Sequence, residues 1–146
     1  MRKFEIVSSY ENQGITLPKR ATQKSAGYDL ASAETIVIEK GKIKLIPTGL
    51  KAKFPAQETL MIYARSSLAT RGLMMSNGVG VVDADYYDNP QNEGHLMVPL
   101  YNFSETDVII EKGDRVAQGI FMPYYTTTDD DAEQKIRLGG FGSSGK

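Results

Sequence analysis

The chain reads as an all-β domain, a sandwich or barrel of many short strands with one short helix. Three observations predict this. Short runs with period-two alternation follow one another at roughly 8–12-residue intervals. Turn-forming pairs separate them: Lys40-Gly41, Thr48-Gly49, Phe54-Pro55, Asn77-Gly78 and Lys112-Gly113. Only one stretch, 66–72, carries helix start and stop signals, and it is too short to stand as an independent helix.

In chain order, Lys3–Val7 alternates apolar and polar, and Thr35–Glu39 is β-branched. Lys42–Pro47 and Leu50–Phe54 alternate cleanly, whereas Thr59–Tyr63 is nearly continuous in apolar residues, as a strand buried on both faces would be. Val79–Val82, His95–Phe103, Val108–Ile110 and Val116–Pro123 complete the strands. Ser66–Gly72 opens on N-cap residues and ends on glycine. The free N–H groups at its start favour an anion, or the serines simply cap it. No repeat or linker divides the chain, and 146 residues suit one domain with a real core. The expected division is a folded domain over 1–125 and a C-terminal arm over 126–146.

Composition excludes several classes of function. Seventeen basic and 18 acidic residues give a net charge of −1 without a basic run, so no nucleic-acid polymer is expected as partner. The absence of cysteine removes disulfides, thiolate metal sites and a cysteine nucleophile. His95 is the single histidine and reads as a satisfied structural residue. The N-terminus lacks a signal-peptide core, and no apolar run approaches the roughly 20 residues that span a bilayer. The expectation is a soluble, cytoplasmic protein whose metal, if any, is hard and oxygen-bound, with Mg²⁺ foremost.

The candidate chemistry centres on Gly80–Tyr87, GVVDADYY. An extended backbone would set Asp83 and Asp85 on one face. Such acids could share a metal, supply a general base, or be turn residues only. The tail Arg137–Lys146, RLGGFGSSGK, is too glycine-rich to be fixed by its own propensity. It reads either as a disordered terminus or as a lid, with a backbone and hydroxyls that suit phosphates and an aromatic that suits a flat ligand.

Five segments in order, AGYDL (26–30), ARSSLA (64–69), GVVDADY (80–86), GDRVAQ (113–118) and RLGGFGSSG (137–145), closely resemble the five motifs of the trimeric dUTP diphosphatases. The resemblance runs from about residue 24 to the C-terminus. It implies a jelly-roll-like β-barrel or sandwich of the β-clip type and a homotrimer with active sites shared between subunits. It also implies hydrolysis of dUTP to dUMP and pyrophosphate with Mg²⁺, limiting uracil in DNA and supplying dUMP for thymidylate synthesis.

By the same resemblance, Asp83 activates the attacking water and Tyr86 packs on the deoxyribose, leaving no space for a 2′-hydroxyl. Asn77, Gly80 and Val82 belong to the hairpin that reads uracil, and Phe141 stacks over the base when the tail closes. Arg65, Ser66, Ser67 and Gln118 contact phosphate, as do Arg137, Gly142, Ser143 and Ser144 of the tail. Asp29 holds a metal-bound water rather than the metal. Asp114 and Arg115 read as structural, an intersubunit ion pair being one arrangement. Ala64 and Ser67 depart from the commoner Pro and Gly, and Arg137 stands one residue closer to Phe141 than is usual.

The largest departure is Asp88–Glu93, DNPQNE, expected as a surface excursion beside the site. Some relatives, notably phage-borne ones, bind repressor partners, so a nucleotide-responsive regulatory protein is an alternative and this excursion a place for a protein partner. A relative of the dCTP deaminases is a second alternative.

Overall fold

The computed structural model describes residues 1–132 and 137–140. Among these, eleven strands pair only in antiparallel fashion. They are β1 (Lys3–Ile6), β2 (Tyr28–Ala31), β3 (Ile36–Ile38), β4 (Ile43–Pro47), β5 (Leu50–Lys53) and β6 (Glu58–Tyr63). After the short helix α1 (Ser66–Thr70) come β7 (Leu73–Met75), β8 (Gly80–Val82), β9 (Met97–Asn102), β10 (Val108–Ile110) and β11 (Arg115–Pro123).

A four-stranded sheet runs in the order β2-β11-β6-β8, and a three-stranded one in the order β4-β9-β7. Two ribbons, β1-β5 and β3-β10, complete the set. The ladders of the described residues do not close into a barrel. The fold is therefore the all-β, jelly-roll-like arrangement expected, built from open sheets around one core. Each strand contributes at least one side chain to that core: Phe4, Leu30, Ile38, Ile46, Leu50, Leu60, Leu73, Val82, Val98, Ile110 and Val116 all belong to one buried cluster. The rings of Phe4, Tyr28, Phe54 and Phe121 close one side of it, with centroids 5.5–6.1 Å apart.

The alternation predicted seven of the strands closely, and β8 and β9 lie inside longer expected runs. Two strands were missed. Tyr28–Ala31 carries an Asp and was read for its motif, and it becomes strand by pairing with β11 across a register shift near Arg115. Leu73–Met75 has neither alternation nor β-branching and gains its strand character from β9.

The helix is shorter than its signals suggested. Arg65, extended at φ −93°, stands at the N-cap instead of a serine, and no side chain caps the turn. Gly72 ends it at φ +75°, its N–H on Ala69 O at 3.1 Å. The expected shared face of Asp83 and Asp85 also needs correction. Strand β8 ends at Val82, Asp83 stays extended, and Asp85 lies in a 3-10 turn over Ala84–Tyr86.

Candidate active site

Among the described residues, strand β8 is the edge of the four-stranded sheet, paired to β6 on one side only, with Gly80 opposite Ile62 and Val82 opposite Leu60. The turn 76–79 leads into it, with Gly78 N–H on Met75 O at 3.1 Å. Gly80 leaves the backbone open to close approach: a Cβ there would meet Ile62 Cβ at 3.2 Å and Asn77 Nδ2 at 3.5 Å. Beyond β8 the chain turns at Asp83, and the 3-10 turn places Tyr86 with its ring buried.

These elements form one side of a cavity of about 260 Å³. Asn77, Gly80, Val82, Asp83, Tyr86 and Arg137 all line it, so six of the residues singled out by sequence meet at one place. Ile62, Leu96, Met97 and Gly140 line it too and were not anticipated. The first three carry no signal in the sequence beyond that of core residues.

Arg137 enters this cavity from the C-terminal segment. Its Nη2 donates to Asp83 Oδ2, its Nε to Asp85 Oδ1 at 2.7 Å, and its Nη1 to Gly139 O at 2.9 Å. The Asp85 hydrogen bond, with the charge of both carboxylates, raises the guanidinium pKa further. The two acids that leave the strand separately are thus brought together by one fork of donors.

The Tyr86 hydroxyl donates to His95 O at 2.8 Å and accepts from Asn92 Nδ2 at 2.8 Å. Burial raises the phenol pKa. His95 is the satisfied structural residue expected: its Nε2 accepts Gly49 N–H at 2.9 Å, its ring lies 5.3 Å from that of Tyr10, and burial lowers its pKa.

A second set lies apart from this cavity. Asp29 on β2 is flanked by Arg65 Nε at 3.2 Å and Arg115 Nη1 at 3.5 Å. Gln118 on β11 pairs with Asp29 across the ladder and donates Nε2 to Ala64 O at 3.2 Å. Ser66 and Ser67 are exposed at the start of α1, directly after Arg65. None of Asp29, Arg65, Ser66, Ser67 or Gln118 lines the Asp83 cavity. Asp29 and Arg115 instead border a second cavity of about 390 Å³, shared with Lys19, Arg20 and Lys112.

Asp114 and Arg115 do not pair with each other among the described residues: Asp114 lies 3.6 Å from Arg71, and Arg115 serves Asp29. No group of three or more potential metal-ligating His, Cys, Asp or Glu side chains gathers among the described residues. Phe141, Gly142, Ser143 and Ser144 lie outside the described residues.

The excursion at 88–93 is less superficial than expected. Asp88, Pro90 and Gln91 are exposed, but Asn89 is buried. Lys51 Nζ binds Asp88 at 2.5 Å and Glu93 at 2.9 Å, and Glu93 also takes the Ser8 hydroxyl at 2.6 Å.

A sequence profile of the dUTPase family matches residues 13–145. The deoxyuridine 5′-triphosphate nucleotidohydrolase of Lactococcus lactis subsp. lactis is 52% identical over 99% of this chain and 98% of its own. That of Desulfitobacterium hafniense is 36% identical over 98% and 96%. The crystal structure of the Streptococcus mutans dUTPase superposes with a TM-score of 0.82 at 44% identity, covering 86% of this chain and 98% of that one. The dUTPase of Staphylococcus aureus phage phi11 shares the fold at 21% identity, with a TM-score of 0.75 over 91% and 96% of the two chains. With its five motifs, its edge-strand cavity and these relatives, the chain belongs to the dUTPase family.

Proposed function

We propose that the chain hydrolyses dUTP to dUMP and pyrophosphate, limiting uracil in DNA and supplying dUMP for thymidylate synthesis in the cytoplasm. The observation that carries this is the convergence of Asp83, Tyr86 and the open edge of β8 on one cavity. A strand edge offers unpaired N–H and C=O groups, which can pair with the edge of a base as another strand would. Main-chain groups at Gly80 and Val82, with Asn77, read uracil in this way and mismatch the amino group of cytosine. Tyr86 packs on the deoxyribose and excludes a 2′-hydroxyl. Asp83 accepts a proton from the water aligned on the α-phosphorus.

Arg137 donates to the Asp83 carboxylate. It must release that carboxylate before the water can use it, and the phosphate oxygens of an arriving triphosphate compete for the same fork of donors. Arg137, Gly142, Ser143 and Ser144 then hold the γ-phosphate while Phe141 covers the base, and closure excludes water. The arm over 126–146 is the moving part and 1–125 the folded domain.

Arg65, Ser66, Ser67 and Gln118 bind the phosphates. Asp29 lies between two arginines, which suits a carboxylate that orients a metal-bound water rather than one that grips a metal directly. Mg²⁺ carried on the triphosphate fits that donor set, and it supplies charge neutralisation on the phosphates. Because the phosphate set lies outside the Asp83 cavity, a complete site draws on more than one copy of the chain, and a closed threefold ring of subunits satisfies this. Exposed Ile43, Leu45, Met74 and Phe103 on and beside the β4-β9-β7 sheet give such an assembly apolar surface to bury.

Pyrophosphate release from dUTP, dCTP, dTTP and UTP, with and without Mg²⁺, tests the reading. Hydrolysis of dUTP alone, dependent on Mg²⁺, is the expected result. Turnover of dCTP or UTP at the dUTP rate would contradict the assigned base or sugar contacts.

A further inference from the structure

The geometry points to Asn92 as a positioning residue for sugar discrimination: its side chain fixes the Tyr86 ring, and the 88–94 excursion exists in its observed shape to hold Asn92 there. This inference rests on the reading that Tyr86 rejects the ribose 2′-hydroxyl. Both ends of the Asn92 amide are engaged. Nδ2 donates to Tyr86 Oη at 2.8 Å, while Oδ1 accepts from Gly94 N at 3.0 Å and from Asn89 Nδ2 at 2.7 Å.

Asn89, buried beneath, is itself saturated. Its Nδ2 also reaches Tyr86 O at 2.8 Å, and its Oδ1 accepts the N–H of Gln91 at 3.0 Å and of Asn92 at 3.2 Å. The backbone closes around the pair. Asp88 N–H meets Glu93 O at 3.0 Å, and Glu93 N–H meets Asn89 O at 3.0 Å. Asp88 and Glu93 take left-handed backbone at φ 56° and 65°. Gly94, at φ 85°, follows because a Cβ there would fall 2.7 Å from Tyr86 O. Lys51 and Ser8 fasten the excursion to the body of the fold through Asp88 and Glu93.

The result is a polar network whose one free end points at a single phenol. Oη accepts from Asn92 and donates to His95 O, so the far end of the ring is fixed between two partners. A ring held at its tip cannot pivot away from a sugar pressed on its face. A ring freed at its tip can, and a 2′-hydroxyl then finds space. A satisfied buried network of this kind is rigid in a way that an apolar contact is not. The same excursion offers Gln91 Oε1 to Gly140 N–H at 3.1 Å, so the phenol support and the C-terminal segment meet on one loop.

The test compares kcat/KM for dUTP and UTP in the full chain, in Asn92→Ala, in Tyr86→Phe and in the double variant. Asn92→Ala removes one of the two hydrogen bonds at the ring tip and Tyr86→Phe removes both, so the UTP-to-dUTP ratio is expected to rise a few-fold in the first and about tenfold in the second. The double variant is expected to match Tyr86→Phe, because that change already removes the contact that Asn92 makes. Tyr86→Phe deletes one oxygen and keeps the ring, so it reads the contact even if Asn92→Ala does not fold. A ratio unchanged by Tyr86→Phe, or effects that multiply in the double variant, would overturn the inference while leaving the role of the ring intact. A parent chain that uses UTP as well as dUTP would overturn both.

Discussion

The Asp83 carboxylate accepts a hydrogen bond from Arg137. The lone pairs that accept from the guanidinium are the ones a base would use, so the ion pair and the proposed role of Asp83 exclude each other. His95 is an acceptor of a different kind. Half-buried against Tyr10 and accepting Gly49 N–H, it favours the neutral form, with its pKa below the ordinary value near 6.5. The unfolded chain therefore takes up this proton first as pH falls. The stability from the neutral ring is present above about pH 6.5 and is lost progressively down to the lowered folded pKa. Glu93, held down to about 2 by Lys51 and Ser8, loses its contribution later, between its ordinary value near 4.5 and that limit. Denaturant unfolding at pH 7.5 and 5.5 is expected to show a larger loss in the parent than in His95→Gln. An equal loss in both would remove His95 from the account.

At the scale of elements, the proposed reading of the base rests on β8 and the two segments that meet it. The strand is short, lies at a sheet edge and begins with glycine, three features that together leave its backbone open to a planar ligand. Gly80→Ala places a methyl 3.2 Å from Ile62 Cβ, on the side where the chain has least space. It is expected to raise KM for dUTP about tenfold with a smaller change in kcat, since it disturbs binding and not the water or its base. Steady-state kinetics decide this, and an unchanged KM would take the base away from the strand edge.

Alternation and turn pairs predicted most strands because each buries one face on the single core. They missed β2 and β7, whose strand character is supplied by their partners. They also could not show that Asp85 leaves the strand and is returned to Asp83 by an arginine more than fifty residues away. DNPQNE read as a surface turn because its residues are polar. Its asparagines are polar for another reason: they satisfy each other and Tyr86.

At the scale of the whole molecule, two sets of motif residues occupy separate places on one chain. The order of the five motifs was legible in sequence, but their partition was not, because it depends on which strands neighbour which. Asp83 borders one cavity, while Arg65 sits with Asp29 elsewhere. Sharing between copies predicts complementation. Asp83→Asn and Arg65→Ala should each be nearly inactive, yet mixed assemblies from co-expression should regain about a quarter of the parent rate, the chance that one site draws an intact residue from each of two copies. No recovery in verified mixed assemblies would place both residues in one copy's site.

Whether Asp83 activates the attacking water is decided by the rate of pyrophosphate release from dUTP by Asp83→Asn beside the parent, at equal folded concentration and saturating Mg²⁺. Asparagine keeps the shape and removes the base. A fall of roughly 10²–10⁴-fold in kcat is expected, the usual contribution of a positioned general base, with dUTP still bound. A variant as fast as the parent would contradict that role.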